Sequence, residues 1–387
     1  MSKSTDSRKI EKYQFQCDLV YATLALTKPY RNPTFAHEFL KKWFSSGFLQ
    51  KPPDKHLRHG FNLFLQLISD ETNGNFEVLP HEIFSICETF QKKAEMNNLF
   101  LANETVILSN VLGKSGISSI ALKGISYYFL FDSAYFQSRL SSDIDLLIPK
   151  KTLRKAIELF TNLGYSVLKY DAPMYRTNEE REANYYEYTL AKQQGELVSE
   201  IGLHWNLPTG TVVQKNGFPF FEILPEEKLE ALWKNKREIQ WQNGRLNVLS
   251  NEDLLTHFLM NVNRDLTGQI NICRWLLAAK DFFELETALS TTNLFKQLKE
   301  ESSSSIQKKV SGLAYLSDYL FGGKVNESIS IPNLFYRSLT RWTPKKKHAR
   351  EVWLALFLSK YAPAVFKMAC LCHGLWQNKT DEKILEA

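Results

Sequence analysis

Apolar residues recur with two different periods along this chain, and the period changes near residue 115. Before that point they return every three or four positions, as in AHEFLKKWF (36–44) and HGFNLFLQLI (59–68), a spacing typical of amphipathic helices. Turn-forming residues interrupt the spacing in KPPDK and ETNGN. A further helical pattern extends from Leu79 to Leu112. The first hundred residues therefore predict a helical region.

The middle of the chain predicts short strands that alternate with helices. ISSIALKG is β-branched and closed by Gly124, which favours a strand that ends in a tight turn. The elements predicted after it are a short aromatic helix or loop (126–136), a strand DIDLLIP (143–149), an amphipathic helix (151–164) and a strand YSVLKY (165–170). The segment 184–207 has two alternating runs around a polar turn at Gly195, the pattern of a β-hairpin.

Helical patterns dominate again from Leu224 to the end, most clearly in EDLLTHFLMNV and RWLLAAKDFFELETAL. Because the helices segregate to the two ends, the predicted class is α+β and not a doubly wound sheet. The predicted organisation is a small mixed β-sheet core at 101–225 between a helical region at 1–100 and a helical domain at 226–387.

Composition narrows the class of protein only moderately. The chain has 387 residues, 44% of them hydrophobic and 23% charged, which predicts a globular protein with a sizeable core. The net charge of +6 fits an anionic ligand such as a nucleotide. It argues against an extended nucleic-acid surface, which is normally more basic. The basic segment 337–350 is typical of a solvated surface, with contact to a nucleic-acid backbone as the alternative.

Targeting signals are absent from the sequence pattern. No stretch reaches the ~18 uninterrupted apolar residues of a membrane span, and the polar N-terminus lacks the apolar core of a signal peptide. The five cysteines are scattered, as expected in a reducing compartment. The expected location is the cytoplasm.

Two aspartates, Asp143 and Asp145, begin an otherwise apolar strand. Strand alternation places both on one face, with Ile144, Leu146 and Ile148 on the core face. Two ionised carboxylates about 6–7 Å apart repel each other, and in a partly buried setting one pKa would rise. A divalent cation such as Mg²⁺, which favours carboxylates together with substrate phosphates, would remove this cost. The alternative is an exposed strand start.

Residues upstream of the aspartates add groups that bind phosphate. Gly124 lets backbone N–H groups approach phosphate oxygens, and Lys123 and Ser126 add a cation and a hydroxyl. Arg139, four residues before Asp143, can hold a phosphate bidentately. The order of strand, glycine turn, short helix, basic residue and D-x-D strand is the layout of a nucleotidyltransferase active site.

These segments, ALKG, SRLSSDIDLLI, AIELFTNLGY and GLHWNL, together resemble the uncharacterised nucleotidyltransferase family of bacterial genomes, within the polymerase-β-like superfamily. The resemblance covers residues 100 to 210 and extends loosely into the C-terminal helices. It implies an enzyme that moves a nucleoside monophosphate from a triphosphate such as ATP to a hydroxyl on a small-molecule or peptide acceptor, in a natural-product or polysaccharide pathway. A hydroxyl attacks the α-phosphate and pyrophosphate leaves.

The resemblance also implies roles for individual residues. Asp143 and Asp145 would hold one or two Mg²⁺ ions. His204 would contact phosphate or act as a base, or it is a strand histidine hydrogen-bonded beside Trp205. The residues that would hold the triphosphate are Lys123, Gly124, Ser126, Arg139 and Ser142.

The chain departs from the family at the third carboxylate of the metal site. This acid usually lies two residues before the histidine of the His-Trp pair, and Gly202 occupies that position here. Glu200, on the same strand face but one pleat away, is one candidate for a substitute metal ligand and catalytic carboxylate. The alternative is a catalytically degenerate site that serves as a binding or scaffold component of a biosynthetic complex.

Overall fold

The structure is a computed structural model of the chain, and it describes eight segments together with isolated positions between 15 and 26 and between 313 and 321. The segments are 33–45, 55–71, 81–168, 177–195, 197–215, 218–242, 244–267 and 272–289. The basic segment 337–350 lies outside them. The chain divides into two compact units, residues 92–268 with 288–302, and residues 1–91 with 269–287 and 303–387. The three-part division inferred from the sequence stays a prediction.

The described residues form the following α-helices and β-strands. The helices are α1 (Pro33–Ser45), α2 (Lys55–Glu71), α3 (His81–Lys114), α4 (Lys123–Leu130), α5 (Ala134–Ser138), α6 (Leu153–Asn162), α7 (Asn178–Asn184), α8 (Glu226–Asn235), α9 (Asn251–Thr267) and α10 (Ile272–Leu289). The strands are β1 (Ile120–Leu122), β2 (Ile144–Leu147), β3 (Ser166–Val167), β4 (Glu187–Gln194), β5 (Leu197–His204), β6 (Pro208–Lys215), β7 (Phe218–Ile223), β8 (Arg237–Trp241) and β9 (Gly244–Val248).

The helices predicted in the first hundred residues are confirmed. The segments 36–44 and 59–68 lie within α1 and α2, and α3 covers most of the predicted range from Leu79 to Leu112. Aromatic residues of α1 and α2 pack edge to face, as Phe39 and Phe64 do at 5.0 Å between ring centroids. None of the described helices is long and apolar enough to cross a membrane.

A seven-stranded mixed sheet forms the centre of the unit that contains residues 92–268, in the order β3-β4-β5-β2-β1-β9-β8. β2 pairs antiparallel with β1 and parallel with β5, so both of its edges are occupied. The strands β6 and β7 form a separate two-stranded sheet. Helices around a mixed sheet confirm the predicted α+β class.

The predicted core face of β2 is confirmed. Ile144, Leu146 and Ile148 are fully buried in one hydrophobic cluster with residues of α3, α6 and β5. The opposite face is buried as well, because Leu147 is 0% and Asp145 4% exposed. The carboxylate of Asp145 is therefore interior and needs partners within the protein.

The sequence did not predict the four strands after residue 207. It assigned no element to the segment of β6 and β7, and it predicted helices where β8 and β9 lie. Helices were expected from Leu224 onward, whereas β8 and β9 form a hairpin whose second strand pairs parallel with β1. Burial alternates along β9, and the Asn243–Gly244 dipeptide is a typical hairpin turn signal. These strands are five residues long, too short for their alternation to stand out between two helical patterns.

Candidate active site

The register of three neighbouring strands places Asp145 at the centre of the candidate site. Leu122, the last residue of β1, lies opposite Asp145 on β2. Asp145 in turn lies opposite Gly202 on β5. Any residue that follows β1 directly is therefore close to the Asp145 carboxylate, and that residue is Lys123.

Lys123 makes the turn that the sequence prediction assigned to Gly124. It has a left-handed backbone with φ of 53° and begins α4 directly after β1. A left-handed conformation is costly for a residue with a side chain and persists only where its surroundings impose it. Here the side chain gains an ion pair, because Lys123 Nζ lies 2.6 Å from Asp145 Oδ1.

His204 shares the same carboxylate oxygen. Its Nε2 atom lies 2.7 Å from Asp145 Oδ1 and 3.5 Å from Lys123 Nζ. Burial raises the pKa of the Asp145 carboxyl, but the charge of Lys123 and the hydrogen bond with His204 outweigh it and hold that pKa well below its usual range. A cation of the protein itself thus supplies the neutralisation that the sequence assigned to Mg²⁺ alone.

Gly202 makes the contact between Asp145 and His204 possible. A Cβ atom at residue 202 would lie 2.6 Å from Asp145 Oδ1 and 3.0 Å from His204 Nε2. Neither side chain has room to retreat, since both are almost fully buried. The family's usual acid at this position is therefore incompatible with the observed placement of His204.

Glu187 brings a second carboxylate to His204. It is the first residue of β4 and pairs directly with His204 across the β4–β5 hairpin. Its Oε2 atom lies 3.3 Å from His204 Nδ1, yet without the alignment of a hydrogen bond, so Nδ1 is a buried atom with no such partner in the described part of the chain. Asp145, Glu187 and His204 each offer a ligand atom within 4.8 Å of the others. This group has the composition and the spacing to hold a metal ion.

Two predicted metal ligands lie outside this group. Asp143 precedes β2, is half-buried and accepts a hydrogen bond of 2.8 Å from Ser142 Oγ. Glu200 lies on β5 opposite Ala191 and is also half-buried. The structure therefore joins Asp145 to Glu187 and His204 in the compact group.

Gly124 lies directly beneath the guanidinium of Arg139. A Cβ atom there would be 2.9 Å from Arg139 Nη1 and 3.4 Å from Ser141 Oγ. Gly124 therefore allows the close approach of the Arg139 side chain, whereas Lys123 makes the turn. Ser126 is fully buried and donates a hydrogen bond of 2.6 Å to the carbonyl of Lys123, so its hydroxyl stabilises the first turn of α4.

Two asparagines of α3 hold the segment that carries Arg139. The amide nitrogen of Asn98 donates to the carbonyls of Gln137 at 2.9 Å and Arg139 at 2.8 Å. Its oxygen accepts from the backbone N–H of Ser141 at 3.0 Å. Asn97 donates to the carbonyl of Ser141 at 2.7 Å. Asn98 is fully buried, so this segment is fastened to a rigid helix just before Asp143.

The sequence profile of a family described as uncharacterised nucleotidyltransferases matches residues 66–320. The chain belongs to this nucleotidyltransferase family. The match spans α3, the whole seven-stranded sheet and α9, and so includes every residue of the site. The family implies a nucleoside triphosphate as substrate. A comparison with curated proteins finds no match.

Sequence reasoning about this nucleotidyltransferase-family protein missed Glu187 and Asn98. The signal for Glu187 was present, because a hairpin centred on Gly195 that pairs Gln194 with Leu197 also pairs Glu187 with His204. Asn98 has a weaker signal as a polar residue on the buried side of a long helix. Its partners are backbone groups about forty residues away, which no local pattern shows.

We expect Asn98→Asp to weaken nucleotide binding about 10–100-fold, as loss of a supporting hydrogen bond at a metal site does. The variant keeps the acceptor for Ser141 but replaces two amide donors with an oxygen that faces two carbonyls. Stability should also fall by about 1–3 kcal/mol, because buried groups lose their partners. Thr105→Val is the control, since its buried hydroxyl bonds only within α3, to Leu101. If calorimetry shows that Asn98→Asp binds nucleotide as tightly as the wild type does, Asn98 does not position the segment that carries Arg139.

We expect Gly124→Ala to lower nucleotide affinity about tenfold, the size of one lost charge-assisted contact. The added methyl group displaces the mobile end of Arg139, and Gly124 lacks a left-handed φ, so the fold should persist. Gly113→Ala is the matched control, because nothing lies within 4 Å of its added Cβ atom. If both variants bind nucleotide as the wild type does, Arg139 does not contact the triphosphate.

Proposed function

We propose that this protein transfers a nucleoside monophosphate from a nucleoside triphosphate to a hydroxyl group of a small molecule or peptide. The observation that carries the proposal is the group of Asp145, Glu187 and His204 beside the Lys123–Gly124 peptide. The Asp145 carboxylate lies against the Lys123 ammonium, and the guanidinium of Arg139 lies against Gly124. A triphosphate requires both kinds of group.

A bound divalent cation would supply charge neutralisation for the phosphates and for the leaving group. Asp145 and Glu187 would hold it, with Asp143 as a further ligand on the same strand side. The Lys123 ammonium, which contacts Asp145 in the unliganded protein, would then contact the phosphates instead. Arg139 and the hydroxyl of Ser142 would orient the triphosphate from the segment held by Asn98.

The proposed transfer forms one bond and breaks one. The acceptor hydroxyl oxygen bonds to the α-phosphorus, and the bond from that phosphorus to the oxygen bridging to the β-phosphate breaks. The electron pair of the broken bond leaves with pyrophosphate. The hydroxyl proton passes to the Glu187 carboxylate, which has no ammonium neighbour comparable to Lys123 among its described contacts. A divalent metal ion is the proposed cation, ATP is the proposed donor by analogy with the family, and a biosynthetic pathway is the proposed setting.

Two variants of the same hairpin test which carboxylate completes the site. We expect Glu187→Gln to weaken cation binding by about 10–100-fold and to lower turnover at least as much. Glu200→Gln removes the same charge from β5 and should leave both within about threefold of the wild type, the effect of a surface charge. Calorimetry with the cation alone and turnover of labelled triphosphates measure these effects. If Glu200→Gln has the larger effect on cation binding and turnover, the third carboxylate is Glu200 and not Glu187.

A catalytically degenerate binding or scaffold protein is the second candidate. Gly202 and the ammonium of Lys123 on Asp145 favour it, because together they leave Asp145 neutralised without a metal. Nucleotide binding then requires no divalent cation, and no pyrophosphate forms with any acceptor. Titrating the triphosphate with the cation and with a chelator distinguishes the two, since only the enzyme shows affinity that depends on the cation.

A further inference from the structure

We propose that the imidazole of His204 is a metal ligand and that the site therefore selects Mn²⁺ over Mg²⁺. This inference rests on the proposed cation site and adds the class of ion that the site takes. It departs from the all-carboxylate, Mg²⁺-binding arrangement that the sequence predicted. Three features of the site support it, namely the burial of His204, the placement of its two ring nitrogens and the absence of a side chain at residue 202.

The ring of His204 is held in one orientation. The side chain is 0% exposed, and the ring of Tyr186 is stacked on it at 5.9 Å with 11° between the planes. Gly202 lets the ring lie this close to the strand, since a Cβ atom at residue 202 would be only 3.0 Å from Nε2. A ligand nitrogen fixed in advance binds a metal ion without a further loss of side-chain entropy.

Each ring nitrogen has a carboxylate beside it. Nε2 is 2.7 Å from Asp145 Oδ1 and Nδ1 is 3.3 Å from Glu187 Oε2. Histidine ligands of metals typically donate the second N–H to a carboxylate, which fixes the tautomer. If Nδ1 coordinates, beside the Glu187 carboxylate, Nε2 already has Asp145 as its hydrogen-bond partner. Nδ1 lacks a hydrogen-bond partner within the described residues, so coordination would satisfy a buried polar atom that is otherwise unsatisfied.

The mixed donor set determines the preference for an ion. Mg²⁺ takes oxygen ligands at near-ideal octahedral geometry and keeps several waters. Imidazole suits transition metals, whereas carboxylates suit Mg²⁺, Ca²⁺ and Mn²⁺. Mn²⁺ accepts both kinds of donor, and two carboxylates with one imidazole match it. Zn²⁺ binds the same donors, but an oxygen-rich set that also faces a triphosphate favours the larger coordination number of Mn²⁺.

The test is the binding of Mn²⁺ and Mg²⁺ to the metal-free full chain, by calorimetry and by electron paramagnetic resonance of Mn²⁺. We expect Mn²⁺ to bind about tenfold or more tightly than Mg²⁺, with hyperfine coupling of the bound Mn²⁺ to a ¹⁴N nucleus. His204→Gln should remove that coupling and bring the two affinities together. His257→Gln is the matched control, since His257 is a buried histidine of α9 that contacts Asn261, and it should change neither.

Wild-type protein alone is sufficient to overturn the inference. Equal affinities for the two ions, or Mn²⁺ bound without nitrogen coupling, would show that His204 only hydrogen-bonds to Asp145. This conclusion holds even if His204→Gln fails to fold. Turnover with Mg²⁺ bound through oxygen ligands alone would contradict the inference about His204 and leave the proposed function intact. Nitrogen-coupled Mn²⁺ without transfer to any acceptor would support the inference about His204 and contradict the proposed function.

Discussion

Asp145→Asn should abolish cation-dependent nucleotide binding and destabilise the unliganded protein by about 3 kcal/mol. The value is at the lower end of the range for breaking a buried ion pair, because the Lys123 ammonium that loses its partner is 22% exposed and partly hydrated. Repulsion between Asp143 and Asp145, the interaction that the sequence alone suggested, would instead make this substitution slightly stabilising. Urea unfolding at neutral pH measures whether Asp145→Asn lowers or raises the free energy of unfolding.

The destabilisation should depend on pH in a known direction. Because the pKa of Asp145 is held below its usual value in the folded protein, the unfolded chain binds a proton first as the pH falls. The stability that this carboxylate contributes is complete above about pH 5 and is lost progressively as the pH falls through about 4 and below. Wild type and Asp145→Asn should therefore converge at acidic pH. A difference that stays constant from pH 7 to pH 3 would contradict the ion pair, and Asp132→Asn, at an exposed position, is the control.

Lys123→Met should be the most destabilising single change at the site, by about 3–5 kcal/mol without a divalent cation. It leaves the Asp145 carboxylate buried and without its ammonium. A divalent cation should then restore most of the lost stability, since a ligand at a hundred times its Kd contributes about 2.7 kcal/mol. Thermal unfolding with Mn²⁺, Mg²⁺ or a chelator measures the effect.

The control for Lys123→Met is Lys155→Met, which removes an exposed ammonium that donates to the carbonyl of Ser115. It should change stability only slightly, and equally with and without the cation. If Lys123→Met loses the same stability in both conditions, the cation does not replace the lysine at Asp145. The proposed exchange of Lys123 for a metal would then be wrong.

The parts of the fold that the sequence predicted are those whose pattern is long or sharply ended. The helix α6 is one, with Leu153, Ala156 and Phe160 buried on one face and Gly164 at φ of 90° after its end. The hairpin β8–β9 was missed because its strands are short and because the other partner of β9, strand β1, is distant in the sequence. β9 joins the sheet through β1, more than 120 residues earlier, and such pairing leaves no local trace.

The candidate site shows the same division between local and distant information. Lys123, Gly124, Arg139 and Asp145 were found from their order along the chain, although Gly124 has a different physical task from the one predicted. Glu187 was missed because its relation to His204 exists only through strand pairing. The roles of Asp143 and Ser142 remain predictions, and Glu200→Gln tests that of Glu200.

The pairing of Glu187 with His204 also ties the chemistry of the site to the length of a distant turn. These residues are the last of eight consecutive pairs that begin at Gln194 and Leu197, about 24 Å away along the strands. Because side chains alternate faces, inserting or deleting one residue near Gly195 would place a tyrosine opposite His204 and turn the glutamate to the other face of the sheet. A change in loop length far from any ligand would then erase the proposed metal site while leaving each of its residues in the sequence.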